Sequence, residues 1–335
     1  MDRRKMITAL ALIALSIGLL VWNFEDKPQQ RFFRNEGNVF GTVYHIQYEY
    51  DRDLLDTVLV CLNQVDSALS MFNPSSIITR INRNENVRTN GDFETVFLQA
   101  QKVSQLSGGA FDLTVAPLVN AWGFGFEKRP DTQGQVDSLR LLVGYTHVRL
   151  IEDHRIEKDN PEIQLDASAI AKGFACDKVA DKLQQLGVHN LLVEIGGEVV
   201  AIGHNSNGQP WNIGITKPID DNTGVQQELQ DRIQTDNLRL ATSGNYRNFY
   251  YDGTQKRSHT IDPRTGYPVR HSLLSATITA NSCMEADALA TACMVLGDTA
   301  ALQLINAIPD AECYLIVASQ DTFLVRTSNH WTLTQ

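Results

Sequence analysis

The sequence predicts an α+β fold, in which helices pack against antiparallel or mixed sheets, preceded by an N-terminal membrane-anchor helix. Three observations support this expectation. Strand-like segments follow one another in pairs joined by short turns, which favours hairpins over a doubly wound parallel sheet. Segments with helical periodicity separate those pairs. An apolar run at the start of the chain has the length and the flanks of an anchor.

The N-terminal segment, residues 1–24, begins with a basic cluster that is followed by apolar residues from Met6 to Trp22. The basic flank predicts that the N-terminus stays inside and that the body is exported to the periplasmic side of the inner membrane. Because no cleavage site of small residues follows the run, an uncleaved anchor is preferred over a removed signal peptide. A buried helix of the fold is the remaining alternative. Residues 25–36 are expected to form a linker and 37–335 the folded domain.

The body has the composition of a folded, acidic protein. Apolar residues make up 43% and charged residues 20% of the 335, which excludes a disordered chain or a small disulfide-stapled scaffold. The net charge of the whole chain is −10, and since residues 1–24 carry +2, the body carries −12. Such a body repels phosphate backbones, so we expect no nucleic-acid partner.

Helices are expected where apolar residues recur at every third or fourth position, at 54–69, 93–106, 169–186, 285–296 and 299–307. Single strands are expected where β-branched and aromatic residues lie between turn signals, at 38–50, 148–156, 162–166, 211–216 and 272–280. Two hairpins are expected, one over 190–202 with its turn at Gly196-Gly197 and one formed by 314–318 and 322–327. The segment 249–253 is interpreted as a hairpin corner. The segment 219–237 is interpreted as a polar excursion, 241–246 as a turn, and 109–125 as a loop suited to line a ligand.

The metal-ligand patterns disfavour zinc and favour a hard cation. The five cysteines form no CxxC pair, and the eight histidines show neither HxxxH nor HExxH spacing. Asp287 and Thr291 lie four residues apart on one predicted helix, and oxygen ligands of this kind suit Mg²⁺ or Ca²⁺. The alternative is that Asp287 is a solvated acid favoured by the helix dipole.

Two further clusters carry residues suited to chemistry. In the segment 258–266, His259 could transfer protons and Arg264 could hold a phosphate, although an ordinary Pro-Gly loop with an Asx turn explains the same composition. The segment 166–173 ends a strand and opens a helix, where free N–H groups favour anions. Its alternative is that Asp166 and Ser168 are helix-capping residues.

Taken in order, six segments give most of the body a resemblance to the ApbE family, the FAD:protein FMN transferases. They are GAFDLTVAPLVNAWGFG (109–125), LDASAIAKG (165–173), EIGG (194–197), ATSGNY (241–246), HTIDPRTG (259–266) and ADALATA (286–292). The resemblance implies an ApbE-like fold and a flavin transferase domain over 37–335. It also implies Mg²⁺-dependent transfer of FMN from FAD to a threonine hydroxyl of a target protein, with release of AMP. The implied targets are subunits of membrane-bound, ion-pumping flavin redox complexes.

The resemblance also implies roles for individual residues. The metal ligands would be the side chains of Asp287 and Thr291 and the main chain at Ala169 and Ala290, with Asp287 and His259 as the catalytic pair. The implied FAD contacts are Phe40, Met71, Ala110, Phe111, Asp112, Asp166, Lys172 and Ile261. A predicted helix start at residue 169 would engage the Ala169 carbonyl, so this ligand requires a helix that begins later.

Three alternative functions stay open at this point. A Mg²⁺-dependent FAD pyrophosphatase would use water in place of threonine and yield FMN and AMP. A flavin-binding carrier would bind without chemistry, and a membrane-tethered interaction protein would leave the clustered motifs unexplained. Aromatic residues such as Phe111 and Trp122 could pack against the flavin ring, although Trp122 is equally suited to the hydrophobic core.

Overall fold

The computed structural model describes residues 31–125, 135–219, 228–245, 249–252, 255–320 and 322–332. The strands of these residues are β1 (Arg31–Val39), β2 (Thr42–Tyr50), β3 (Val148–Ile151), β4 (Arg155–Lys158), β5 (Leu191–Ile195), β6 (Glu198–Ile202), β7 (Trp211–Thr216), β8 (Leu229–Thr235), β9 (Asn237–Gly244), β10 (Phe249–Asp252), β11 (Gln255–Ser258), β12 (Leu273–Thr279), β13 (Glu312–Ser319) and β14 (Thr322–Thr327). The helices are α1 (Leu55–Leu69), α2 (Ile77–Asn82), α3 (Gly91–Leu106), α4 (Ala116–Ala121), α5 (Val136–Arg140), α6 (Ala171–Gln185), α7 (Cys283–Leu296) and α8 (Asp298–Asn306).

An eight-stranded sheet is the centre of the fold, with the strand order β1-β2-β5-β6-β9-β12-β13-β14. Its neighbouring strands are antiparallel throughout. Three separate hairpins, β3–β4, β7–β8 and β10–β11, accompany the sheet. The predicted α+β class with antiparallel sheets is therefore confirmed.

Each face of the sheet carries its own core. Alternate residues of β5, such as Leu191 and Val193, join a large apolar cluster with α1, α3, α6 and α7 on one face. On the other face, Leu238 and Leu240 of β9 pack with Trp211 and Ile213 of the β7–β8 hairpin. Because side chains alternate along a strand, one sheet supports both a helical layer and a hairpin layer.

The predicted helices are confirmed to within two residues at each end. The hairpins β5–β6 and β13–β14 are confirmed as well. The five cysteines are free and buried, as expected of small core residues.

Several expected boundaries are corrected by strand pairing. Residues 31–36, expected in the linker, belong to β1 and pair with β2. The segment 162–166 is not a strand, because the side chain of Asn82 satisfies the N–H and C=O of Leu165 at 2.7 and 2.9 Å. Strand β8 lies within the expected excursion, and β9 includes most of the expected turn at 241–246.

The predicted membrane location is corrected. Among the described residues, none of the helices combines the length and the apolar character needed to cross a membrane. Residues 1–24, on which the anchor was predicted, lie outside the described part of the chain. We therefore do not carry the inner-membrane anchor or the periplasmic location forward.

Candidate active site

A cavity of about 310 Å³ lies where the start of α6, the body of α7 and two loops meet. Its lining includes most of the residues predicted from the sequence to contact FAD or metal. These are Ala110, Phe111, Asp112, Asp166, Ala169, Lys172, His259, Ile261, Asp287 and Thr291. The fold thus brings four distant segments of the sequence to one place.

The N-terminus of α7 is capped from within the protein. The two carboxylate oxygens of Asp177 accept from the first two N–H groups of the helix, at 3.0 and 2.8 Å. The hydroxyl and the carbonyl of Ser282 accept from the next two, at 3.0 and 3.1 Å. The first four N–H groups of the helix, Cys283 to Ala286, are therefore all bonded. This fixes the helix that carries Asp287 and Thr291.

Helices α6 and α7 approach each other closely at Gly173. A β-carbon at this position would lie 2.3 Å from the carbonyl oxygen of Cys283 and 2.8 Å from the Cβ of Asp287. The N–H of Gly173 donates to Oδ2 of Asp287 at 3.0 Å. Glycine at this position therefore permits the helix contact and also orients the carboxylate.

The carbonyl of Ala169 is available to a ligand. Helix α6 begins at Ala171, two residues later than the sequence predicts, and the N–H of Gly173 is engaged by Asp287. Within the described residues, no hydrogen bond reaches the Ala169 oxygen. Together with the Asp287 carboxylate and the Thr291 hydroxyl in the same cavity, this carbonyl fits the oxygen donors that Mg²⁺ takes.

Ala290 fits a ligand role less well. It lies in the interior of α7, where the helical repeat engages its carbonyl, and it is fully buried. Phe40, Met71 and Ala290 are not among the residues that line the cavity. Phe40 occupies the turn between β1 and β2 with a φ of 50°, and Met71 is buried in the large apolar cluster.

A lysine and two buried carboxyl groups form a charge cluster at the cavity. The Nζ of Lys172 lies 3.5 Å from Oε1 of Glu198 and 3.9 Å from Oδ2 of Asp287. Burial lowers the pKa of Lys172, but attraction to Asp287 and Glu198 outweighs it and holds the pKa above its usual value. Burial raises the pKa of Asp287 and brings that of Glu198 to about 8, with Lys172 opposing both shifts. The two carboxyl groups thus favour the ammonium form of Lys172.

The loop at 110–112 is shaped by the buried side chain of Asp112. Its Oδ1 accepts from the N–H and the hydroxyl of Thr114 at 2.8 and 2.6 Å, and its Oδ2 accepts from the N–H of Tyr145 at 2.7 Å. Burial raises the pKa of Asp112, and these hydrogen bonds oppose the shift. The carboxylate therefore holds the loop in place, so that Ala110 and Phe111 line the cavity.

The segment 259–266 contains a residue that lines the cavity, followed by a turn held by its own side chains. His259 lines the cavity. Asp262 accepts from the Arg264 N–H at 2.9 Å, the expected Asx turn. The Nε and Nη2 of Arg264 donate to the two oxygens of the same carboxylate, each at 2.9 Å. Arg264 is therefore a partner of Asp262, which corrects its expected role as a phosphate clamp. Trp122 is a core residue, since its Nε1 donates to the Gly266 carbonyl at 2.9 Å.

Sequence reasoning missed Glu198 and Ser243 as site residues. Ser243 Oγ lies 3.3 Å from the Thr291 hydroxyl, and Glu198 contacts Lys172. Both residues belong to or adjoin motifs that the sequence singled out, EIGG and ATSGNY. The antiparallel pairing of β6 with β9 brings these motifs together.

Comparison with known proteins identifies the family of the chain. The model of the ApbE family matches residues 40–315. The chain is 36% identical to the FAD:protein FMN transferase of Vibrio cholerae, with 96% of each chain aligned. It is 34% identical to the FAD:protein FMN transferase of Haemophilus influenzae, with 97% of each aligned.

Solved structures give the same result. The flavin transferase ApbE of Vibrio cholerae superposes with a TM-score of 0.80 at 35% identity, covering 90% of this chain and 98% of that one. The apo form of the flavinyl transferase ApbE of Pseudomonas stutzeri has a TM-score of 0.79 at 32% identity, covering 91% and 96%. Because the family model and these relatives span most of its length, the chain belongs to the ApbE family.

Proposed function

We propose that this protein is an FAD:protein FMN transferase. In the proposed reaction a threonine hydroxyl of an acceptor protein forms a bond to the FMN phosphorus of FAD. The bond from that phosphorus to the bridging oxygen breaks, AMP leaves, and the hydroxyl proton is lost. The observation that carries the proposal is the meeting of Lys172, His259, Asp287 and Thr291 in one cavity.

Charge neutralisation is the main requirement of such a displacement at phosphorus. Lys172 supplies one fixed positive charge, and we assign to it a contact with the pyrophosphate. Asp287, Thr291 and the Ala169 carbonyl would hold Mg²⁺. When bound, this ion would neutralise the phosphate charge and stabilise the leaving group.

His259 is assigned to accept the threonine proton, a step typically worth roughly 10²–10⁴-fold in rate. Phe111 and the apolar side chains of Val115, Val119 and Ile261 form an apolar part of the cavity wall suited to a flavin ring. The acceptor class implied by the resemblance, a subunit of a membrane-bound flavin redox complex, completes the proposal.

The test uses the full chain, FAD, Mg²⁺ and a soluble acceptor domain with an exposed threonine. The mass of the acceptor is followed together with the release of AMP and free FMN. The expected result is an acceptor that gains one FMN with equal release of AMP, and no gain when its threonine is replaced by valine.

The other outcomes identify the competing activities. Free FMN and AMP with an unmodified acceptor would indicate a pyrophosphatase that uses water. Tight FAD binding without AMP would indicate a carrier, and either result would overturn the proposed transfer.

A further inference from the structure

A second cavity, of about 620 Å³, adjoins the candidate active site. The two cavities share Lys172, Ser243 and His259 in their walls. The cavities therefore meet beside Lys172, which is assigned to bind the pyrophosphate, and His259, which is assigned to accept the threonine proton. We call this second cavity the acceptor groove.

One wall of the acceptor groove is the sheet and the other is the β7–β8 hairpin. Thr42 and His45 of β2 and Glu194 of β5 lie on the sheet side. The Glu194 carboxylate lies 2.6 Å from Nδ1 of His45 and accepts from the N–H of Gly197 at 2.7 Å. Asn212 and Gly214 of β7 lie on the hairpin side.

The hairpin side offers main-chain groups to a ligand. In the described sheets β7 pairs with β8 alone, so one edge of this six-residue strand carries unpaired N–H and C=O groups. An unpaired strand edge is the feature to which an extended peptide adds as a further strand.

Glu198 marks the inner end of the groove. Its side chain is 3% exposed and lines the groove, and its Oε2 has no hydrogen-bond partner among the described residues. A buried carboxyl oxygen is rarely left without a donor in a folded protein. Such an oxygen indicates a place where a bound molecule donates a hydrogen bond.

We infer that the acceptor groove receives an extended segment of the acceptor protein, with its threonine at the junction of the two cavities. The inference rests on the proposed function. A displacement at phosphorus needs the nucleophile in line with the leaving group, so the threonine hydroxyl must approach the FMN phosphorus of FAD from the side opposite the departing AMP. Two cavities that meet at Lys172 and His259 meet this requirement. The segment adds to the free edge of β7 by main-chain hydrogen bonds.

The test compares two tryptophan substitutions on the hairpin. Asn212→Trp places a large side chain in the groove. Gln234→Trp is the matched control, because Gln234 is exposed, lies directly opposite Asn212 in the ladder and does not line the groove. The probe is a pool of random peptides of about ten residues with one fixed threonine, long enough to lie along β7. FMN-peptide is measured by mass, and FAD affinity by flavin fluorescence.

We expect Asn212→Trp to reduce the formation of FMN-peptide by at least about tenfold, the change that the loss of two or three hydrogen bonds would give. Its FAD dissociation constant, and both quantities for Gln234→Trp, should stay within about twofold of the unsubstituted protein. As a second measurement, the same pool with valine in place of threonine should slow amide hydrogen exchange in residues 211–216.

Three outcomes would overturn the inference. Asn212→Trp could form FMN-peptide at the normal rate, or its FAD affinity could fall in parallel, which would place FAD in the groove. A chain that labels a folded acceptor but no peptide of the pool would exclude an extended segment. Failure of the proposed function is distinguished by the unsubstituted chain, which would then label neither the folded acceptor nor the pool.

Discussion

Replacing Gly173 by alanine sets two opposing effects against each other. Helix propensity alone predicts that Gly173→Ala stabilises α6 by about 1 kcal/mol. The structure predicts the opposite sign. The added Cβ would lie 2.3 Å from the Cys283 carbonyl oxygen, whereas such contacts ordinarily lie at about 3.3 Å. The two helices would have to separate by about 1 Å.

The separation has two costs that exceed the gain in propensity. Overpacking of a core contact costs about 1–3 kcal/mol. Moving the helices also weakens the 3.0 Å hydrogen bond from the Gly173 N–H to Asp287, and a bond of this kind to a charged group contributes about 1.5–3 kcal/mol. The net effect should be a loss of roughly 3 kcal/mol in the free energy of unfolding.

Urea unfolding followed by circular dichroism measures this loss. Gly91→Ala is the matched control, because Gly91 begins α3 and a Cβ there would meet nothing within 4 Å. The control should be neutral or slightly more stable. If Gly173→Ala is as stable as Gly91→Ala, the close helix contact and the role we assign to it are wrong.

Three further substitutions, one of them paired with a control, test the site and the helix that carries it. Asp177→Ala removes the two carboxylate acceptors at the start of α7 and a partner of Arg239, so urea unfolding should show a loss of about 3 kcal/mol in the free energy of unfolding. Asp181→Ala is the control, because Asp181 is an exposed partner of Arg239, and it should cost less than about 1 kcal/mol. His259→Gln should lower kcat for FMN transfer by about 10²–10⁴-fold with unchanged FAD affinity, and a normal kcat would remove it from the mechanism. Asp287→Asn should abolish Mg²⁺-dependent turnover in a folded protein, and retained turnover would refute the metal assignment.

The helices and most of the site could be predicted because their signals are local. The stripe of apolar residues in α6 and the order of the motifs around Lys172, His259 and Asp287 are visible in the sequence. The two missed site residues depend on strand pairing. Ser243 reaches the cavity, and Glu198 reaches Lys172 beside it, because β6 pairs with β9. No local sequence pattern predicts that β6 pairs with β9, since contacts within a sheet join residues that are far apart in sequence.

Local patterns also misassign residues whose partners come from elsewhere. The buried apolar residues of 162–166 suggest a strand, but the N–H and C=O of Leu165 are bonded to the side chain of Asn82 and not to a neighbouring strand. Arg264 has the chemistry of a phosphate clamp, but Asp262, two residues away, accepts hydrogen bonds from its Nε and Nη2. In both cases the polarity of the residues was interpreted correctly. What each residue binds is determined by another residue of the protein, which no local pattern reveals.

The start of α6 illustrates the same point for anion binding. The sequence suggests that free N–H groups at 166–173 favour a phosphate. In the structure the N–H of Ala171 donates to the Ala167 carbonyl, and that of Gly173 donates to Asp287. The N-terminus of α7 is likewise closed by its own caps. The first turn of α7 therefore offers no N–H group to a pyrophosphate, and α6 offers fewer than the sequence suggests. Side chains and a metal ion must then provide much of the positive charge.

The charge balance of the cavity then predicts that FAD binding requires a divalent cation. Three carboxyl side chains, Asp112, Asp166 and Asp287, line the cavity with one ammonium, Lys172. A pyrophosphate brings further negative charge into the same cavity, and repulsion between like charges weakens binding unless a cation neutralises them. Replacing Mg²⁺ by EDTA should therefore weaken FAD binding by at least about tenfold in fluorescence titrations. Riboflavin, which carries no phosphate, should be unaffected. Equal affinity for FAD with and without Mg²⁺ would show that Lys172 alone suffices.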